Sequence, residues 1–297
     1  MRVLLMILLI AAAQPVSAAL QVFACTPEWG SLAKELGGDR VSVYTATTAL
    51  QDPHRVEARP SLIAAARRAD LMVCTGAELE VGWLPLVQSQ SGNARIQVGQ
   101  PGYFEAASAA VLIEKPARLD RALGDVHASG NPHLHLDPRN VERVAAALGE
   151  RMAALDAQQA GFYGERTKAF LARWREAVRR WEREAAPLRG AGVVVYHKNL
   201  TYLLEWLGMR EAGALEPRPG LPPGTAHLAA LLERLKREPA KAVVRAAYNE
   251  PRAAEWLAER ARLPSVLLPF TVGGTPRAGD LFGLYEDSIA RLLEAAR

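Results

Sequence analysis

The feature of this 297-residue sequence that most constrains its fold is an alternation of short apolar runs with longer amphipathic segments. The apolar runs have the length of strands and cover residues 21–25, 41–45, 71–74, 95–98, 192–196, 241–246 and 265–268. The segments between them place apolar residues three or four positions apart, which is typical of helices that bury one face. Strands and helices that alternate in this way form parallel sheets covered by helices, so we predict an α/β fold.

A long helical pattern in the middle divides the sequence into two lobes. Apolar residues recur at helical spacing from Asp137-Pro138 to residue 155, and a second pattern continues to about residue 188. Its apolar face consists of Tyr163, Phe170, Trp174, Val178 and Trp181. A helix of about thirty residues is about 45 Å long. We predict an N-terminal lobe at residues 19–155, a rigid linker helix at 156–188 and a C-terminal lobe at 189–297.

The charged residues do not indicate a nucleic-acid partner. The formal net charge is only +4, and no run of lysine and arginine is long enough to follow a phosphate backbone. The arginines of the linker helix lie opposite its apolar face, as on a solvated surface.

The first eighteen residues have the features of a secretory signal peptide. Arg2 provides a positive charge, residues 3–13 are apolar, and Val16-Ser17-Ala18 has the small residues of a cleavage site. The apolar stretch is shorter than the ~20 residues that span a bilayer, and no cysteine follows it directly. We therefore expect cleavage before Ala19 and export, most simply to a bacterial periplasm.

Two cysteines, Cys25 and Cys74, each end an apolar run. If these runs are neighbouring parallel strands, their ends can meet, and an oxidising compartment favours pairing. A disulfide across this loop would stabilise the fold by roughly 4 kcal/mol. Two buried free thiols are the alternative, and we favour the disulfide.

The positions of the histidines suggest a metal site. His54 follows the second apolar run, His133 precedes a helix start, and His197 directly follows a buried run in the second lobe. Ligands of α/β proteins bind at the carboxyl ends of strands, so these imidazoles can converge between the lobes, although a loop histidine is also often simply solvated. Neutral imidazoles suit Zn²⁺, and Asp280, after a glycine-rich loop, can supply a carboxylate as the fourth ligand. The GxxxxGK[ST], GxGxxG, HExxH and GxSxG motifs of common enzymes are absent.

Short motifs around these residues carry a family resemblance over essentially the whole mature chain. The motifs are Asp52-Pro53-His54 with Arg59-Pro60-Ser61, Asn131-Pro132-His133, Val194-Val195-Tyr196-His197, and Gly279-Asp280 with Tyr285. In this order they resemble the ligand loops of the zinc/manganese solute-binding proteins of ABC importers (cluster A-I). Leu215-Glu216-Pro217 and Pro222-Pro223-Gly224, before an amphipathic helix, resemble the zinc-receptor branch of that family.

The resemblance implies a monomeric periplasmic receptor and not an enzyme. It implies two α/β lobes joined by a rigid helix, with His54, His133, His197 and Asp280 as the metal ligands. It also implies that the protein delivers Zn²⁺ to the membrane permease of an ABC importer. In this family a histidine at the third ligand position is typical of zinc receptors and a glutamate of manganese receptors, so His197 favours zinc.

Three further histidines are not part of this ligand set. His135 stands where the family often has tryptophan, and we interpret it as a residue of the cleft wall or a transient zinc contact. His127 lies where many zinc receptors have a longer His/Asp/Glu-rich loop, and we expect at most a weak accessory role. His227 is expected to be structural or exposed. We expect residues 271–279, which are rich in glycine, to be the moving part.

Three alternatives remain open from the sequence. A manganese or iron receptor of the same family would differ in its metal. A zinc-dependent hydrolase would use the histidines and an open position to activate water, with Glu216 as a candidate general base. A metal-dependent adhesin or storage protein would bind the same ion without a permease.

Overall fold

The first half of the chain forms a four-stranded parallel sheet. The computed structural model describes residues 19–116 and 127–297, so the predicted signal peptide at residues 1–18 lies outside the described residues. The strands are β1 (Leu20–Ala24), β2 (Val41–Thr45), β3 (Leu71–Cys74) and β4 (Tyr103–Glu105), in the order β2-β1-β3-β4. The helices are α1 (Pro27–Gly37), α2 (Pro60–Arg68), α3 (Leu84–Ser91) and α4 (Pro138–Leu155).

The second half follows the long helix α5 (Ala160–Glu184) and repeats the same strand order. Its strands are β5 (Gly192–Val195), β6 (Arg210–Ala214), β7 (Ala242–Arg245) and β8 (Ser265–Leu267), in the order β6-β5-β7-β8. Its helices are α6 (Thr201–Leu207), α7 (Thr225–Leu235), α8 (Pro251–Ala261) and α9 (Leu281–Ala296). The predicted fold class, two α/β lobes with parallel sheets joined by one long helix, is confirmed.

The arrangement of the sheets explains both their composition and the position of the site. Every residue of β3 and of β5 is buried, because helices cover both faces of a parallel sheet. At the junctions of β1 with β3 and of β5 with β7, the connections leave the sheet in opposite directions. Open α/β sheets bind ligands beyond the carboxyl ends of strands at such junctions.

Helix α5 is shorter than the sequence pattern indicates. The predicted linker helix at 156–188 begins as a short 3-10 turn at Ala157–Gln159, and α5 itself ends at Glu184, before a further 3-10 turn at Ala186–Leu188. Its 25 residues correspond to about 38 Å. The lobe boundaries at residues 155 and 189 stay predictions.

Contacts on both lobes hold α5 in place. The guanidinium of Arg166 donates to the Glu35 carbonyl of α1, while Arg180 pairs with Glu286 of α9 at 2.5 Å. The Trp181 ring stacks on Tyr285, with 5.1 Å between ring centroids. The helix therefore packs against both halves of the molecule, through a hydrogen bond to α1 in the first half and through an ion pair and an aromatic stack with α9 in the second.

Two local predictions in the first lobe are wrong. Residues 95–98 are not a strand, because the Asn93 side chain accepts the Arg95 N–H and starts a 3-10 turn at Ala94–Ile96. The fourth strand is instead β4. The helix predicted at 80–87 begins only at Leu84, because the Glu80 carboxylate accepts the backbone N–H groups of Thr75 and Gly76 and so belongs to the preceding turn.

The predicted disulfide between Cys25 and Cys74 is present. The two Cα atoms lie 4.8 Å apart, beside the carboxyl ends of the paired strands β1 and β3. Among the helices of the described residues, none combines the length and hydropathy needed to cross a membrane.

Candidate metal centre

Three histidines from three loops meet in the crevice. Each of His54, His133 and His197 offers one ring nitrogen, and these atoms all lie within 4.8 Å of one another. The ring centroid of His54 lies 5.3 Å from that of His133 and 5.9 Å from that of His197. Around a tetrahedral zinc with Zn–N near ~2.0 Å, ligand nitrogens lie about 3.3 Å apart. The cluster is therefore already close to the dimensions of a metal site.

Carboxylates orient two of the three rings. Asp52 accepts from Nδ1 of His54 at 2.8 Å, and Glu216 accepts from Nδ1 of His197 at 2.7 Å. With Nδ1 protonated, Nε2 of each ring has the lone pair that a metal needs. Nε2 of His54 is buried and has no hydrogen-bond partner among the described residues. Burial alone would raise the pKa of Asp52, but the hydrogen bond and charge of His54 outweigh it and lower the pKa.

His133 lies deepest in the cluster and is prepared to bind as a neutral ring. Its side chain is 2% exposed, and Nδ1 finds no partner in the part of the chain that the structure describes. Burial, and then the neighbouring imidazoles, hold its pKa well below the ordinary value of 6.5. A metal ligand must be unprotonated, so a metal ion would displace no proton from this residue at neutral pH.

Asp280 is not brought to the imidazole cluster. It is exposed and caps α9, with its carboxylate accepting the Gly283 N–H at 2.8 Å. It lines a separate pocket of about 640 Å³ together with Lys34 and Arg166. The glycine-rich loop before it ends at the start of α9, where a capping oxygen is needed. The predicted fourth ligand thus lies apart from the three histidines.

His127 lies beside the three histidines, and its accessory role stays a prediction. Its ring lies 5.3 Å from that of His54, and it lines the same cavity of about 150 Å³ as His133 and His197. The spacing His127…His133 across a Gly-Asn-Pro turn was the available signal. The region 119–130 has few metal donors in the sequence, and of this region the structure describes residues 127–130.

His135 and His227 have structural positions, as interpreted from the sequence. His135 is buried, its Nε2 lies 2.9 Å from the Phe270 carbonyl, and its ring packs against the Phe270 ring, as that of His133 does. Nε2 of His227 on α7 lies 2.9 Å from the Ala214 carbonyl.

A buried carboxylate links the two lobes beside the site. Glu28 of α1 is 2% exposed and accepts the hydroxyl of Thr26 at 2.6 Å and that of Thr271 at 2.5 Å. Thr271 follows β8 in the second lobe, and Nδ1 of His135 lies 3.6 Å from the same carboxylate. The segment predicted to move, residues 271–279, is therefore anchored to the first lobe at its first residue.

A second group of potential ligands, Cys25, Cys74 and Glu80, is closed to metal. The two sulfurs are bonded to each other, and Glu80 accepts two backbone N–H groups. Burial, opposed by those hydrogen bonds, raises the pKa of Glu80 to about 7.

The site can hold a small cation but is poorly arranged for hydrolysis. The cavity at the cluster has only about 150 Å³. Glu216, the candidate general base, accepts from Nδ1 of His197 and from the Gly220 N–H with the same oxygen. It thus orients a ligand ring, and one of its two oxygens is already occupied by that role.

Two α/β lobes joined by a long helix, with imidazoles from both lobes at one point of the crevice, define a metal-binding receptor and not an enzyme. The chain belongs to the ZnuA family, described as zinc-uptake complex component A, periplasmic, whose model matches residues 22–295.

Known relatives include zinc and manganese proteins. The high-affinity zinc uptake system protein ZnuA of Paracoccus denitrificans is 24% identical over 292 residues, which cover 85% of this chain and 84% of that protein. The manganese ABC transporter substrate-binding lipoprotein PsaA of Streptococcus mitis is 24% identical over 151 residues, 51% of this chain and 47% of that protein. A crystal structure of ZnuA has a TM-score of 0.76 at 20% identity and covers 92% of this chain and 99% of its own. The shared fold extends over nearly the whole chain.

Proposed function

We propose that this protein is a periplasmic zinc receptor, which captures Zn²⁺ between its lobes and delivers it to the permease of an ABC importer. His54, His133 and His197 are the proposed ligands. The observation that carries the proposal is their convergence from three separate loops, two in the first lobe and one in the second, within 4.8 Å.

The donor set supports zinc over manganese. All three converging donors are imidazole nitrogens, which suit zinc, whereas manganese prefers carboxylate, carbonyl and water oxygens. The two carboxylates nearest the cluster, Asp52 and Glu216, face the outer nitrogens of the rings. The relative from Paracoccus is named for zinc uptake and that from Streptococcus for manganese, so a manganese receptor is the nearest alternative.

Capture and release in this proposal depend on local movement. Helix α5 packs against both lobes and would limit hinge motion. The proposed signal peptide would export the protein to the periplasm. There it can act as a monomer that docks on the permease.

Titration against a competing metal chelator tests the proposal. We expect His54→Ala, His133→Ala and His197→Ala each to weaken zinc binding strongly, since each removes one of the converging donors. His227→Ala is the control. It should leave zinc affinity unchanged, because the His227 ring contacts the carbonyl of Ala214 at the end of β6 and not the histidine cluster. Wild-type affinity in all three single variants, or a preference for Mn²⁺ over Zn²⁺ in the wild-type protein, would contradict the assignment.

A further inference from the structure

The three converging histidines leave one position of a tetrahedral zinc site to be filled. Each carboxylate of the described residues near the site, and that of Asp280, already accepts a hydrogen bond from the protein. Asp52 and Glu216 accept from the outer nitrogens of two ligand rings. Glu114, in the wall of the cavity, accepts from the Asn131 side chain at 2.7 Å, and Asp280 caps α9.

His127 lies beside the three rings on the cavity side. Its ring is tilted by 35° against that of His54, at a centroid distance of 5.3 Å. It lines the cavity that His133 and His197 also line. Its ring nitrogens do not belong to the group that meets within 4.8 Å. His127 therefore lies next to the cluster and outside it.

The backbone around His127 holds it at this place. Its carbonyl accepts the N–H of Gly130 in a turn, and Gly130 has φ +116, a conformation that glycine adopts readily. Ser129 donates to Glu78 through both its hydroxyl, at 2.8 Å, and its backbone N–H. Asn131 donates its N–H to the Ile113 carbonyl at 2.9 Å. The far end of the turn is thus fixed, and His127 is the residue that starts it.

We propose that His127 is the fourth zinc ligand and that it sets the preference of the site for zinc over manganese; this rests on the proposed receptor function. A site of four imidazoles presents only nitrogen donors, which suit zinc, copper and nickel and offer manganese none of the oxygens it prefers. On binding, the His127 ring moves from beside His54 onto the ion, while Ser129 and Asn131 keep the far end of the turn in place.

X-ray absorption spectroscopy of the zinc-loaded protein, combined with chelator titration, tests this proposal. We expect the wild-type spectrum to show four imidazoles, and that of His127→Ala to show three imidazoles and one oxygen. Removing a residue that hydrogen-bonds to a metal ligand weakens metal binding roughly 10–100-fold. Loss of the ligand itself in His127→Ala should therefore weaken zinc binding on the order of 100-fold. His127→Asp restores a donor but makes it an oxygen. It should narrow the ratio of zinc to manganese affinity by at least about tenfold, which corresponds to about 1.4 kcal/mol.

The outcomes separate this proposal from the receptor function. If His127→Ala keeps the wild-type affinity and imidazole count while His54→Ala and His133→Ala lose binding, the receptor stands and His127 is not a ligand. The same holds if Asp280→Ala is the variant that changes the spectrum. If the wild-type protein binds no zinc, the receptor function itself fails. Thermal melting of the metal-free variants checks that each is folded, and His227→Ala is the matched histidine control.

Discussion

Glu216 offers a quantitative test of how the site is organised. Its carboxylate is largely buried and accepts from Nδ1 of His197 at 2.7 Å and from the Gly220 N–H at 2.8 Å. A hydrogen bond to a charged group contributes roughly 1.5–3 kcal/mol, and each 1.4 kcal/mol is about tenfold in affinity. Glu216→Ala should therefore weaken zinc binding roughly 10–100-fold, in agreement with the effect of outer partners in other metal sites.

A graded series of variants separates charge from geometry. Glu216→Gln retains an oxygen that can accept both bonds but loses the charge, which about halves their strength, so we expect about a tenfold loss. Glu250→Gln is the matched control, because Glu250 lines the same side of the site but is exposed and caps α8. Its charge is screened by solvent, and its loss should leave affinity near the wild-type value.

Competition with a chromophoric chelator at pH 7.5 measures the zinc affinities of the wild type and the three variants. The expected order of zinc affinity is wild type and Glu250→Gln, then Glu216→Gln, then Glu216→Ala. Wild-type affinity in Glu216→Ala, or equal losses in the two glutamine variants, would refute the view that this carboxylate orients His197.

Three further predictions concern stability and are all checked by urea denaturation of the metal-free protein. Trp174→Ala should lower the free energy of unfolding by roughly 3–5 kcal/mol, because the ring is fully buried on α5. Leu86 is 50% exposed, so the control Leu86→Ala should change that free energy by less than about 0.5 kcal/mol. Similar losses in the two variants would contradict the role of the buried face of α5. Replacing Cys25 and Cys74 together by alanine should cost roughly 4 kcal/mol, and an unchanged urea midpoint would count against it. Because burial holds the pKa of His133 below 6.5, the unfolded chain takes up the proton first as the pH falls. The contribution of His133 to the free energy of unfolding is complete above about pH 6.5 and falls by up to about 1.4 kcal/mol per pH unit below that pH. His133→Gln should reduce this dependence of stability on pH. An equal dependence in the variant would exclude His133 as its source.

The residues that sequence patterns located correctly are those whose position depends on local order. His197 directly follows β5, and His54 follows β2 after a short loop, so the carboxyl ends of strands determine where they lie. The apolar runs of β1, β3, β5 and β7 are buried on both faces or nearly so, and this burial makes them visible as strands. The pairing of Cys25 with Cys74 follows from β1 lying beside β3.

The features that the sequence did not reveal depend on how distant parts of the chain come together in the fold. Strand β6 has the sequence Arg-Glu-Ala-Gly-Ala and lies at the edge of its sheet, so it carries no apolar run. Asp280 follows a glycine-rich loop whose direction no local pattern determines. His127 is a single histidine in a turn, and its contact with His54, 73 residues earlier in the sequence, appears only once the chain is folded.

The carboxylate of Glu28 has a consequence for how this molecule can open. Its oxygens are satisfied by hydroxyls from both lobes, Thr26 on one side and Thr271 on the other, in a space that solvent does not reach. A separation too small to admit water would leave an acceptor stranded in an apolar gap, at the full cost of an unmade hydrogen bond. Slightly parted arrangements of Glu28 and Thr271 are thus disfavoured, and this contact should be either closed or open far enough for water to hydrate the carboxylate.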